Sequence, residues 1–412
     1  MQVNNVSISG DKNLSPSDLR LETLTSLFIG KLMNVFCEAR NPLRTMKKGL
    51  PILVLLVFAL SACQPPATAT LPAVDHASSA PTSTQTPMLT HTPLSPSPTA
   101  KPTLAARPSE TPPPKLISVG SGRVTLMAVG DIMLGRTIGE LIDSEGPQAP
   151  FIYTAATLSS ADITVGNLEC PISERGTAEE KTYAFRAPLE SGESLAFAGF
   201  DVLSLANNHS LDYGPLALED TLNILADQKI SSVGAGINAA QAYGPVIIEV
   251  NGLRIAFLAY ADIPPNDYDY PAWEASPDKA GIAWAHPERV RQGVATALKQ
   301  ADIVVVLLHN GYEIVQQVSG HQQEIARLAI DSGASLVIGH HPHVLQRIET
   351  YKEGLIAYSM GNFVFDNFLF PPNYSAILKV ELSENGVESY ELIDVIVQLN
   401  GVPQIMPYDL ED

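Results

Sequence analysis

Five apolar runs in this 412-residue chain each stop at a cluster of Asp, Glu, Asn or His. Val124–Val129 ends in Gly130-Asp131, Asp162–Val165 in Gly166-Asn167-Leu168-Glu169, and Val202–Leu205 in Ala206-Asn207-Asn208-His209. Ile303–Leu308 ends in His309, and Leu336–Ile338 in Gly339-His340-His341-Pro342-His343. Carboxylate, imidazole and the Asn carbonyl together form the ligand set of hard to borderline divalent cations. Each cluster alone has a plainer explanation: Asp131 as an N-cap, Asn207-Asn208 as a turn, a strand-end His as a packed side chain. Five in order, closing on His-x-His, exceed what packing explains, because buried imidazoles and carboxylates are costly without a partner or a metal.

The elements that must position these residues alternate between strand and helix. Amphipathic segments at Leu216–Gln228, Pro287–Gln300 and Gln322–Ser332 separate several of the apolar runs, the last with Gly333 as its C-cap. Val246–Val250 and Arg254–Tyr260 flank Asn251-Gly252, a pair that favours a type I′ hairpin turn. Further strands are expected at Leu355–Ser359, Ala376–Leu382 and Tyr390–Val397. The pattern predicts one α/β domain with a largely parallel core and antiparallel additions. In such sheets ligands gather at the carboxyl ends of the strands.

Composition divides the chain. Of its 32 prolines, 13 fall between Gln64 and Pro114 among Thr, Ser and Ala, which predicts a flexible spacer. Residues 1–115 carry 10 Lys+Arg against 6 Asp+Glu, and the remainder 15 against 38, a balance of −23. So acidic a domain repels nucleic acid and anionic lipid, and it suits multivalent cations. Near the start, Met46-Lys47-Lys48 precedes an apolar run, Leu50–Leu60, too short to span a bilayer. A basic start, a short apolar core and small residues before a break are the marks of a signal peptide.

Leu60-Ser61-Ala62-Cys63 also resembles the lipobox of bacterial lipoproteins. The resemblance implies acylation of Cys63 and a protein held by its lipid alone on the extracytoplasmic side of the cell membrane. The expected organisation is a disordered or mis-started segment at 1–45, a signal peptide at 46–62, a linker at 63–115 and a folded domain at 116–412. With Cys37 removed and Cys63 acylated, only Cys170 remains, so no intradomain disulfide is expected.

The strand-end clusters, with Asp212-Tyr213-Gly214, Gly311, Glu313 and Tyr358-Ser359-Met360-Gly361-Asn362-Phe363, resemble the poly-γ-glutamate capsule-synthesis (CapA) family over Val124 to Asp366. That family is similar to calcineurin-like metallophosphoesterases. The resemblance therefore implies a four-layer α/β/β/α sandwich, a metal site and work alongside a membrane synthase and export complex. It implies Asp131 as the first ligand, with Met133 where that superfamily has a His. Asn167 stands where a bridging carboxylate is usual, and Glu169 follows two residues later. Asn208, His309, His341 and His343 are implied as further ligands, with His340, Glu313 and Asn362 as additional candidates. His209 is implied as the acid that protonates the leaving oxygen, with Asp212 beside it and Ser210 replacing the usual acid. One or two divalent cations (Mn, Fe, Zn or Mg) would support metal-assisted hydrolysis.

Three functions stay open on the sequence alone. One is a metallohydrolase acting on a phosphoester or related bond. The second is an accessory component gripping an anionic polymer through its metal, with Arg186 or Arg347 as helpers. The third is a surface lipoprotein with a degenerate site.

Overall fold

The computed structural model describes residues 122–263, 270–366 and 371–407. The expected signal peptide, Cys63 and the Pro-rich linker lie outside the described residues. In chain order the strands are β1 (Arg123–Ile132), β2 (Ile163–Leu168), β3 (Val202–Ser204), β4 (Ser231–Val233), β5 (Ala235–Gly236), β6 (Val246–Val250), β7 (Leu253–Asp262) and β8 (Gly281–Ile282). They continue as β9 (Ile303–Asn310), β10 (Leu336–His340), β11 (Ile348–Tyr351), β12 (Gly354–Ala357), β13 (Asn362–Val364), β14 (Tyr374–Ser383), β15 (Gly386–Val397) and β16 (Pro403–Ile405).

Two large sheets result. In the first, β1, β2, β3 and β4 run parallel, while β14, β15 and β16 extend it antiparallel from the other edge of β1. β13 pairs with the end of β1, setting Asp131 beside Asn362. The second sheet has the order β11-β12-β10-β9-β7-β6, parallel in its four central strands and antiparallel at both edges.

Side-chain alternation explains how the layers stack. Along β7 and β9, Ile255, Phe257, Ala259, Ile303, Val305 and Leu307 join the core that includes the first sheet. Their neighbours Ala256, Leu258, Tyr260, Val304, Val306 and Leu308 pack instead with the helices Pro287–Ala297 and Gly320–Asp331. A strand buried on both faces must be apolar at every position, which is why these runs lack polar alternation. The helices Arg136–Glu145, Ser191–Ala198 and Gly214–Asp227 supply Ile138, Ile142, Leu195, Leu218, Leu222 and Leu225 to the core of the first sheet. Helix, sheet, sheet, helix is the α/β/β/α sandwich.

Local chemistry accounts for the details. Asn251 and Gly252 have φ of 52° and 85°, as a type I′ turn between β6 and β7 requires. The helix Gly320–Asp331 opens with a capping box of Ser319 and Gln322 and is followed by Gly333 at φ 109°. One boundary differs from expectation in a way that matters. β2 does not stop at Val165 but continues to Leu168, because Asn167 stays in register with Asp131 of β1 and its side chain bonds that residue.

Residues 358–361, which lead from β12 of the second sheet to β13 of the first, pack very closely on the ends of β10 and β1. A Cβ on Gly130 would fall 1.9 Å from the Gly361 carbonyl oxygen, and one on Gly339 would fall 2.0 Å from that of Tyr358. The Asp131 N–H donates to the Gly361 carbonyl at 2.9 Å, so this approach also fixes the direction of Asp131. Gly130→Ala is therefore expected to lower the unfolding free energy by about 3 kcal/mol, the upper end for overpacking, because the obstacle is backbone. Gly320→Ala, whose Cβ meets nothing within 4 Å, should stay within about 0.5 kcal/mol of the parent. Urea midpoints of the two variants check the contrast.

Candidate metal centre

The site is built around one carboxylate. Glu169, just past the end of β2, is fully buried, and neither of its oxygens has a hydrogen-bond partner. Three imidazole nitrogens face its Oε1: His309 Nε2 at 3.6 Å, His209 Nε2 at 3.9 Å and His343 Nε2 at 3.9 Å. Glu169 groups with His309 and His341 on one side and with Asp131 and His343 on the other, each set of ligand atoms lying within 4.8 Å. That is the position of a carboxylate shared between two ligand groups.

Both sheets supply ligands. His309 and His340 lie side by side in register at the ends of β9 and β10, and His341 and His343 sit in the loop that follows. His341 and His343 have φ of 94° and 57°. A β-carbon is strained there, and such strain persists where the surroundings over-determine it, often at functional sites. The Asp131 side chain accepts from the His341 N–H at 3.2 Å and contacts His343 Nδ1 at 3.3 Å. His309 Nε2 donates to Asn208 Oδ1 at 2.8 Å, which sets these two candidate ligands side by side.

A second layer orients these groups. His343 Nδ1 donates to Asn362 Oδ1 at 2.8 Å, which turns Nε2 toward Glu169. His209 Nδ1 donates to Asp212 Oδ2 at 2.7 Å, likewise turning Nε2 inward. Asp212 is held in turn by an ion pair with Lys181 and by the Phe185 N–H at 2.6 Å. Such outer partners fix the tautomer and orientation of ligating or proton-transferring histidines.

Electrostatics follow from burial. Burial and the neighbouring Asp131 charge push the Glu169 carboxyl well above its usual range. Burial pushes His209 down to about 4 and His341 to about 3, and burial plus the adjacent imidazoles push His309 well below its ordinary value. For Asp131 burial acts upward, but the His343 hydrogen bond and charge outweigh it and hold the acid below its ordinary value. For His343 burial acts downward, yet the charges of Glu169 and Asp131 raise it to about 10. Unprotonated imidazole is the ligating form, so His309 and His341 fit a divalent cation as they stand, His343 would release its proton on binding one, and the bare Glu169 oxygens are what such an ion would satisfy.

Not every expected residue has the expected place. Asn167 donates through Nδ2 to Asp131 at 2.8 Å and contacts His309 Nδ1 at 3.2 Å, while its Oδ1 accepts from Asn207. Its nitrogen braces two ligands and its oxygen is taken by Asn207, so it presents no free oxygen. His340 donates through Nε2 to the Val129 carbonyl at 3.1 Å and belongs to none of the ligand groups among the described residues. Glu313 is exposed but lies within reach of His341 and His343. Asp212 touches His209 and stands behind it. Met133 is fully buried, its sulfur accepting from the Gly135 N–H at 3.1 Å. Arg347 pairs with Glu349 at 2.9 Å, and Arg186 lies over the Tyr213 ring. Lys181, Phe185 and Asn207 join the site without a sequence signal of their own, except that the doubled Asn207-Asn208 hints at one of them.

Two outcomes test this geometry. Purified protein should carry bound divalent cation by elemental analysis, and Glu169→Gln should lose most of it. Added manganese should raise the melting temperature of the parent, since a ligand at 100 times its Kd contributes about 2.7 kcal/mol, and this gain should vanish in the variant. His341→Ala and His341→Gly should both lose cation. The glycine variant should be the more stable of the two by about 1 kcal/mol, because glycine relieves the positive φ.

Residues 125–367 match the family described as bacterial capsule synthesis protein PGA_cap. The chain is 34% identical over 285 residues to the PGA biosynthesis protein CapA of Bacillus subtilis (strain 168), covering 68% of this chain and 74% of that protein. It is 33% identical over 291 residues to the capsule biosynthesis protein CapA of Bacillus anthracis, covering 68% and 69%. A hypothetical protein of known structure from Thermus thermophilus aligns with 14% identity and a TM-score of 0.42, covering 66% of this chain and 98% of that one. With the match running from β1 past β13, the chain belongs to the bacterial capsule synthesis protein family PGA_cap.

Proposed function

We propose that this chain acts in the synthesis or export of poly-γ-glutamate or a related extracellular polymer, through a metal-dependent hydrolytic site of the phosphoesterase type. The observation that carries the reading is Glu169, whose two buried oxygens are bare and whose Oε1 faces the Nε2 atoms of His209, His309 and His343. Asp131, Glu169, Asn208, His309, His341 and His343 would hold one or two ions, and an imidazole-rich set suits Mn, Fe or Zn better than Mg. A bound cation supplies Lewis-acid polarisation of a phosphoryl or carbonyl oxygen. His209, with Nδ1 tied to Asp212 and its ring stacked on Phe185 at 4.2 Å, offers Nε2 to protonate a leaving oxygen. Phe185 also covers that face of the imidazole against water.

A second reading has its own support. Asn167 and Met133 stand where a hydrolase of this superfamily places a carboxylate and an imidazole, which favours an accessory subunit that grips polymer through the cation without turnover. The relatives named for capsule and PGA biosynthesis fit either reading. Assays with phosphomonoester and phosphodiester substrates in manganese separate them. Hydrolysis should fall by about 10²–10⁴ in His209→Ala and also fall in Asp131→Asn. Cation-dependent polymer binding without hydrolysis would replace the hydrolase by the accessory reading, and neither activity would leave a degenerate site.

We also propose that Cys63 anchors the protein to the outer face of the cell membrane, where a membrane polymer synthase and export complex would be its partner. Metabolic labelling with a fatty-acid probe should mark the parent and not Cys63→Ala. Equal labelling of both would contradict the anchor.

A further inference from the structure

The lining of the site is acidic, with Asp131, Glu169 and Asp212 buried and Glu313 at the surface, within a part of the chain whose balance is −23. An anionic substrate needs a local cation to approach such a lining. Among the described residues two stand beside the histidines. Lys181 is only 3% exposed and pairs with Asp212, so its charge supports His209 from behind. Arg136 differs on both counts.

The Arg136 side chain is 32% exposed, and its guanidinium lies 4.6 Å from the centre of the Phe185 ring and 5.7 Å from that of Phe365. Phe185 is stacked on His209 at 4.2 Å, and Phe365 meets His343 edge-on at 5.0 Å. The guanidinium is thus one aromatic ring away from each of two histidines that face Glu169. Asp366, 1% exposed, pairs with one Arg136 nitrogen and accepts from the Thr137 N–H at 3.2 Å. A guanidinium resting its face on aromatic rings keeps N–H donors at its edge in a fork that matches an oxyanion, and Asp366 engages only one nitrogen. Arg136 also has φ 50°, costly for any residue but glycine. Three contacts and a strained backbone hold one charge beside the histidine cluster.

We propose that Arg136 is the oxyanion-binding residue of the site, receiving a carboxylate or phosphoryl group of a substrate whose reacting end lies among Glu169 and the histidines. This rests on the functional reading above. An arginine rather than a lysine serves because only the planar fork can both stack on Phe185 and Phe365 and present paired donors.

The test uses the full chain loaded with manganese, titrated calorimetrically with a short γ-linked glutamate oligomer and, separately, with inorganic phosphate. Arg136→Gln should weaken binding at least tenfold while manganese content and melting temperature match the parent. Arg136→Lys, which restores the charge but not the fork, should recover only part of the affinity. Loss for both probes assigns a phosphoryl or any oxyanion to Arg136, and loss for the oligomer alone assigns the polymer carboxylate. Equal affinities in the parent and Arg136→Gln overturn the role of Arg136 and leave the functional reading standing. A manganese-loaded parent that binds neither probe overturns that reading and this assignment together. If Arg136→Gln melts early, Asp366→Asn, which frees the guanidinium without removing it, decides: unchanged affinity there argues against a positioned Arg136, and a several-fold loss supports it.

Discussion

A carboxylate shut away from water with no hydrogen bond is among the most expensive features a protein interior can hold, and Glu169 is one. The cost is several kcal/mol unless the group is protonated or meets a cation. Three Nε2 atoms lie within 3.9 Å of one of its oxygens, a set that could share a cation with it. A cation held at this point would therefore add to the stability of the domain. Any change that disturbs the sheets disturbs the ligands, and removing the ligands relieves the sheets of an unfavourable charge arrangement.

The ligands come from opposite sheets, so their spacing depends on how closely the sheets can stack. Gly130 and Gly339 seat the segment that crosses from β12 of the second sheet to β13 of the first, each admitting one of its carbonyl oxygens to a distance no side chain allows. The backbone contact between Asp131 and Gly361 then aligns one sheet's acid with Asn362, which orients His343. The paired supports Asp212–His209 and Asn362–His343 use the same device from two directions: a carbonyl or carboxylate oxygen takes Nδ1–H and leaves Nε2 facing the centre.

Much of this is legible in the sequence. Parallel strands buried on both faces read as continuous apolar runs, and the polar residues at their ends lie at the carboxyl edge where sheets of this kind assemble sites. The clusters at Asp131, Glu169, Asn208-His209, His309 and His341–His343 are therefore visible, as are the Asn251-Gly252 hairpin and the family resemblance. What escapes has a common cause. Lys181, Phe185 and Arg136 sit in loops or at a helix start, where no periodicity marks them, and they join the site through contacts with residues far along the chain. The role of Asn167 is hidden because its partner, Asn207, is 40 residues away and decides which way the amide points. Asn362 is recognisable as part of a motif, but only the structure attaches its oxygen to His343.

The contact between Asp131 and Asn362 has a consequence for how the protein comes to be folded. The ligand set opens with the first strand and depends on an orienting residue in the thirteenth, with more than two hundred residues between them. Pairings of such sequence separation carry a large loop-closure entropy and form slowly. A nascent chain that stops just short of β13 can pair β1 with β2 and β2 with β3, yet it has nothing to hold His343. The cluster around Glu169 is thus among the last features to mature, and its appearance marks the moment at which the chain has closed upon itself.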